Sequence, residues 1–172
     1  MPFRPAAGLT LVGSTAAGWS DHIVVGLHEL LEAPTVLAAI HAGERLRRAV
    51  ARSPHRAPPV VAWPDPLRAG LDAPSAYGLL HALAESPDPA ADDVIARAMT
   101  HDDLGLREHA IWAAARRQPM HGSLTTLIER VGDGGFASML AGLTLETWAD
   151  RARGTLGSAI AARLHRAAMC AP

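Results

Sequence analysis

Two residue types are missing from this chain of 172 residues. It contains no lysine and no asparagine, so arginine supplies all 16 of its basic side chains. Without lysine the chain cannot form a Schiff base with a carbonyl substrate or supply the cation of a lysine-containing phosphate loop. Several classes of enzyme are therefore excluded. Alanine makes up about a fifth of the residues, and this bias indicates a GC-rich coding genome, such as that of an actinobacterium.

Cysteine is almost absent, because Cys170 is the only one. A single cysteine excludes an intrachain disulfide and a cysteine-based zinc site, which fits a reducing compartment. The apolar runs are interrupted before they reach the length that crosses a bilayer, and residues 1–10 lack the layout of a secretory signal. We therefore predict a cytoplasmic protein with no membrane partner.

Aromatic residues are scarce, at 4%, whereas strands favour aromatic and β-branched side chains. Alanine, leucine, arginine and glutamate favour helices, so the composition predicts an all-α fold. With 49% hydrophobic residues and a net charge of −1, we expect one compact domain. Five prolines mark residues 53–66 as a connector. It ends an N-terminal helical segment, 1–66, and precedes a helical region, 67–172.

The N-terminal segment contains two predicted helices. The first is capped by Ser20 or Asp21 and runs to about Glu32, and Pro34 opens the second. In the C-terminal region, apolar residues recur at helical spacing in six windows, each predicted to face inward. These are Ala76, Leu79, Leu80 and Leu83; Val94, Ile95, Ala98 and Met99; Leu106, Ala110, Ala113 and Ala114; Leu124, Leu127, Ile128 and Val131; Phe136, Met139, Leu140 and Leu143; and Leu156, Ile160 and Leu164.

The windows also repeat along the chain. Asp72, Asp102 and Asp133 precede three of them at intervals of 30 and 31 residues. An aspartate at such a position can accept hydrogen bonds from the free amides of a helix N-terminus. The regular spacing therefore predicts helix pairs with capping aspartates.

Residues 101–117, HDDLGLREHAIWAAARR, resemble the first helix of a HEAT (armadillo-type) repeat. That pattern has an aspartate-led turn, an apolar residue, an arginine and spaced alanines, which are here Asp102 or Asp103, Leu106, Arg107, Ala110, and Ala113 or Ala114. The unit 101–131 carries the match. The flanking units match by spacing, with Tyr77 and Ser138 in place of the arginine. The resemblance implies a short α-α superhelix of about three HEAT-like helix pairs plus two N-terminal helices.

A HEAT-like stack implies a binding or scaffolding module without catalysis. Its partner is expected to be a protein or an adjacent catalytic domain of a larger bacterial enzyme, such as a glycosyltransferase, and self-association is an alternative. Trp112 falls outside the narrow apolar stripe of its window, and large aromatic side chains on accessible surfaces often anchor interfaces. We select four candidate partner-binding residues: Arg107, Trp112, Arg116 and Trp148. We assign no catalytic residue, cofactor or metal ligand, and leave enzymatic activity open.

Two other HEAT-like functions are weighed against this one. DNA-binding proteins, among them glycosylases for alkylated bases, use a concave basic surface, whereas this chain is nearly neutral. A metal-dependent HEAT-like hydroxylase binds its metals through His-Glu pairs. This chain has one such pair, His28–Glu29, while its best-matching unit reads Glu108–His109 in reverse order. The swap turns each side chain by about 100° around the helix.

These alternatives predict different behaviour of the purified protein. A scaffold is expected to contain no metal by elemental analysis and to lose partner capture when Trp112 or Arg107 is replaced by alanine. A DNA-binding protein is expected to show an affinity that falls steeply with salt. Iron or zinc in the protein would instead support the hydroxylase.

Overall fold

The computed structural model describes residues 19–63, 70–152 and positions 162, 166 and 169. Within these residues the chain forms seven α-helices and no strand, which confirms the all-α prediction. The helices are α1 (Asp21–Leu31), α2 (Val36–Arg52), α3 (Ser75–Leu83), α4 (Ala90–Ala98), α5 (Leu104–Arg116), α6 (Leu124–Val131) and α7 (Gly135–Ala152). None of these helices is long and apolar enough to cross a membrane.

Short side chains cap two of the helices. Thr35 Oγ1 accepts a hydrogen bond from the Ala38 amide at the start of α2, and Asp103 Oδ1 accepts one from the Leu106 amide at the start of α5. The predicted cap Asp102 is wrong, because the neighbouring Asp103 caps this helix. Asp72 is also no cap, because Pro74 precedes α3 and the Asp72 carboxylate lies 3.2 Å from His101 Nε2.

The helices pack in a regular order. Helices α2, α3, α5 and α7 contact one another in succession, while α1 packs on α2, α4 on α5 and α6 on α7. The proline-rich connector forms two 3-10 turns, Pro54–Arg56 and Val60–Ala62, and the second turn contacts α4. Trp63 is buried beside this turn, and its indole N–H donates to the Pro58 carbonyl.

Helices α2 and α3 cross with their backbones in contact. A Cβ atom added to Gly43 would lie 2.5 Å from the Gly78 Cα, and one added to Gly78 would lie 2.6 Å from the Ala39 carbonyl carbon. No side chain fits at either position without moving a helix backbone. Ala39, Ala42 and Ala82 continue this buried surface of small residues. Glycine is therefore required at this crossing for close approach.

The six predicted apolar windows differ in how well their residues are buried. The first three are buried as predicted. In the fourth, Leu127 and Val131 are buried, whereas Ile128 is exposed. The fifth prediction is wrong for three of its four residues, because α7 buries its small residues together with Leu145 and Trp148, while Phe136, Met139 and Leu143 are 56%, 49% and 51% exposed. Leu140 is half-buried against the core. The sixth window lies outside the described residues.

Arg117 fixes the loop between α3 and α4. Its guanidinium pairs with Asp92 and donates to the carbonyl oxygens of Leu83 at 2.8 Å, Ser86 at 2.7 Å and Asp88 at 3.1 Å. A planar group with several fixed donors suits this role. The end of α5 is thereby tied to the turn before α4.

Substitution at the α2–α3 crossing tests its importance. We expect Gly78→Ala to lower the free energy of unfolding by about 2 kcal/mol, because overpacking against backbone costs about 1–3 kcal/mol or more, and alanine returns only about 1 kcal/mol of helix propensity. Urea denaturation monitored by circular dichroism measures the change.

Gly26→Ala is the matched control, since its added Cβ would lie 3.2 Å from the nearest Leu46 atoms, a contact that a shift of a few tenths of an ångström relieves. Equal stability of the Gly78 and Gly26 variants would contradict the proposed close contact.

Candidate functional site

One surface of the molecule carries side chains from all four successive helices. Its residues recur at helical spacing on each helix and are exposed or half-buried. We call it the four-helix face. Its members are Glu44 and Arg47 on α2; Tyr77 and His81 on α3, with Glu85 just after it; Glu108, His109, Trp112 and Arg116 on α5; and Phe136, Leu140 and Leu143 on α7.

An ion-pair network lies at the α2 end of the face. The Arg47 guanidinium donates to both carboxylate oxygens of Glu44, at 2.8 and 2.6 Å, and to Glu85 at 3.0 Å. The hydrogen bond from Arg47 lowers the pKa of Glu44 to about 2, so this carboxylate is ionised at neutral pH. Its Oε2 lies 3.6 Å from Nδ1 of His81.

Two histidines connect α3 to α5. His81 Nε2 lies 3.0 Å from His109 Nδ1, a hydrogen-bond distance. The His81 ring is tilted against the Trp112 ring at 4.4 Å between centroids, and Tyr77 meets His109 edge-on at 5.2 Å. Each histidine is therefore held by an aromatic neighbour as well as by the other histidine.

Burial lowers the pKa of both histidines. For His81 the charge of His109 lowers the pKa further, while Glu44 opposes this change. For His109 the Glu108 carboxylate acts in the raising direction. Because both pKa values lie below the ordinary 6.5, the pair is neutral at pH 7.

Tyr77 joins this cluster to the start of α5. Its hydroxyl donates to Asp103 Oδ1 at 2.8 Å, the same oxygen that caps the helix. Burial, followed by the hydrogen bond to Asp103, raises the pKa of the Tyr77 phenol to about 12. Tyr77 therefore stays protonated and fixes the position of His109 relative to α3.

A cavity of about 140 Å³ opens on the face between α3, α5 and α7. It is lined by His81, Glu108, His109, Trp112, Phe136 and Leu140. The Arg116 guanidinium lies 4.0 Å from the centroid of the Trp112 ring, in cation–π contact. Three of the six lining residues are large apolar side chains, and the other three contribute one carboxylate and two imidazoles.

No protein-family model, curated protein or solved structure matches this chain. Any function must therefore be inferred from the face and its cavity. Among the described residues, no three histidine, cysteine or acidic side chains lie close enough together to hold a metal ion.

The structure brings together two of the four residues selected from the sequence. Trp112 and Arg116 lie on the four-helix face, in contact with each other. Arg107 lies near the start of α5, and its guanidinium donates to two carbonyl oxygens of the preceding turn, His101 at 2.7 Å and Asp102 at 3.1 Å. Trp148 is in the core, with its indole N–H donating to the Ala114 carbonyl at 3.0 Å. It offers no accessible surface to a partner.

Sequence reasoning missed the histidines and the apolar residues of α7 as members of a site. The reversed Glu108–His109 order was considered only for metal binding, and Tyr77 only as a departure from the HEAT pattern. Tyr77, His81 and Glu85 are spaced by four residues, which places them on one side of a helix. This spacing is the feature of the sequence that indicates a shared polar surface on α3.

The histidine pair predicts a loss of stability on acidification. Because the folded-state pKa of each ring lies below its unfolded value, the unfolded chain binds more protons as the pH falls below about 6.5. Stability is therefore fully present above that pH and declines below it. We expect His109→Gln to lose less stability than wild type between pH 7.5 and 5, as measured by urea denaturation.

His41→Gln is the matched control, because His41 is an exposed residue of α2. It should keep the wild-type pH dependence, and an unchanged pH dependence in His109→Gln would count against the buried neutral pair.

Proposed function

We propose that this chain is a non-catalytic binding module that recognises a protein partner along the four-helix face. Exposed apolar residues on α7 are the observation that supports this function most directly. Phe136, Met139 and Leu143 follow one another at helical spacing on that helix, and each has about half of its side chain in solvent. A contiguous apolar patch with a polar border is typical of a protein interaction site.

The anchor groups beside this patch have the composition of an interface. Tryptophan and arginine are enriched among the residues that dominate binding energies, and here Trp112 and Arg116 are stacked next to the cavity. The hydrogen-bonded histidines hold the cavity wall in place. A partner would therefore meet a preformed pocket, which lowers the entropic cost of binding.

The proposal includes a HEAT-like superhelix as its framework. Support comes from the succession of α2, α3, α5 and α7, of which α2, α5 and α7 are each accompanied by a helix of a second layer. Such a stack presents one continuous surface. The cytoplasmic location and the accessory role beside a catalytic domain rest on composition and resemblance, and remain predictions.

The charges of the face favour a protein over a nucleic acid. Three carboxylates, on Glu44, Glu85 and Glu108, accompany the arginines Arg47 and Arg116. Arg47 is engaged with two of those carboxylates. A phosphate backbone needs concentrated positive charge to release counterions, which a balanced surface does not provide.

Matched charge insertions test this function. We expect Leu143→Glu to abolish capture of the protein partner, because a carboxylate would be desolvated in the apolar contact. The measurement is affinity purification from the source organism with quantitative mass spectrometry, comparing tagged wild type and variants.

Val61→Glu is the control, since Val61 is 64% exposed on the turn that packs against α4. It should capture the same proteins as wild type. Circular dichroism confirms that both variants are folded. The proposal fails if Leu143→Glu captures the wild-type set in full.

A further inference from the structure

The proton positions in the histidine pair can be worked out from Glu44. His81 Nδ1 is buried without a hydrogen-bond partner, and the ionised Glu44 Oε2 lies 3.6 Å away, beyond hydrogen-bond distance. At that distance the negative carboxylate repels a lone pair on Nδ1 and attracts a proton there, so the favourable neutral tautomer of His81 carries its proton on Nδ1. Nε2 of His81 then has only a lone pair. At the 3.0 Å contact, His109 Nδ1 must be the donor.

Because the neutral His109 ring carries its proton on Nδ1, its Nε2 has none. That nitrogen makes no hydrogen bond within the described part of the chain, and it is absent from the nitrogens buried there without a partner. Nε2 is therefore accessible to solvent, on a ring that forms part of the cavity wall. It presents a hydrogen-bond acceptor of fixed tautomer beside an apolar pocket.

The cavity has the size of one six-membered ring. An apolar protein cavity of roughly 150 Å³ binds benzene, and the volume here is about 140 Å³. Trp112 and Phe136 offer aromatic surfaces for stacked or edge-on contacts with such a ring. A phenol ring matches this space.

We propose that this cavity binds the side chain of a partner's tyrosine, with the phenol ring against Trp112 and Phe136 and the phenol O–H donating to His109 Nε2. The proposal rests on the proposed function, because it names the anchor residue of the protein that docks on the four-helix face. Phenylalanine would fill the same space without satisfying Nε2.

Adding one proton to the histidine pair changes His109 Nε2 from a hydrogen-bond acceptor into a donor. Protonated His81 carries a proton on Nδ1, facing Glu44, and donates from Nε2 to His109, so His109 must carry its own proton on Nε2. The other charged groups around the pair are Arg47 on α2, Glu108 and Arg116 on α5, and Asp103, which is bound to Tyr77. The α7 wall of the cavity, Phe136 and Leu140, carries no charge. Binding of a donor should therefore weaken as the pH falls and the pair takes up a proton.

Three small probes test the assignment on the full-length chain. These are 4-methylphenol; 4-methylanisole, in which a methyl ether replaces the donor; and toluene. Titrations are followed by NMR on the Trp112 indole N–H and the His109 ring protons. We expect 4-methylphenol to bind about three- to tenfold more tightly than 4-methylanisole at pH 7.5, the effect of one hydrogen bond. That preference should decrease as the pH is lowered stepwise from 7.5, while toluene binding changes little.

The variant His109→Phe keeps a ring in the cavity wall and removes the acceptor. It should bind 4-methylphenol and 4-methylanisole equally. Equal binding of these two probes by wild type at pH 7.5 would overturn the tyrosine assignment, as would the absence of probe-dependent shifts at Trp112. Either result leaves the capture test with Leu143→Glu unaffected, so the two proposals can fail separately.

Discussion

The contact between the backbones of α2 and α3 is the constraint on which the rest of the structure depends. Gly43 and Gly78 let the two helices approach until there is no room for a side chain between them. This approach places Glu44 and Arg47, on the turn that follows Gly43, next to His81 of α3 and Glu85 just after it. The contacts of Glu44 and Arg47 with these two residues are a consequence of that spacing, because short polar contacts across helices need helices that lie close together.

Composition and periodicity predicted the secondary structure well, because alanine-rich helices with proline-marked turns leave few alternatives. The start of α1 follows from Ser20 or Asp21 and the start of α2 from Pro34, which precedes it by two residues. The inward faces of α3, α4 and α5 were also correct, since their apolar stripes have no competitor on the same helix. Local rules decide these features.

The face of α7 could not be predicted in this way. That helix has two candidate stripes, one of large apolar residues and one of small residues with Leu145 and Trp148. A periodicity rule selects the larger side chains, but the close packing of α5 against α7 admits the smaller ones.

The candidate site could be predicted only in part, for the same reason. His81 and His109 are 28 residues apart and meet only through the crossing of α3 and α5, which no spacing within one helix reveals. Trp112 and Arg116, one turn apart on α5, could be selected because their contact is local.

The four-helix face changes character along its length. Its α2 end is ionic, with Arg47 shared between two carboxylates; its centre is aromatic and hydrogen-bonded; and its α7 end is aliphatic. A ligand lying across it would meet these environments in a fixed order. The gradient gives the face a direction, which a uniformly apolar groove lacks.

Helix α7 buries its small side chains and exposes its large ones, and this affects which of its positions can change during evolution. Its core is made mainly of small side chains, whose exchange would disturb helix spacing, while the bulky residues stand outside that core. Phe136, Met139 and Leu143 can therefore be replaced with little penalty in folding. Under the proposed function, recognition and stability would be encoded by separate sets of positions on one helix, and relatives could acquire new partners without first acquiring a new scaffold.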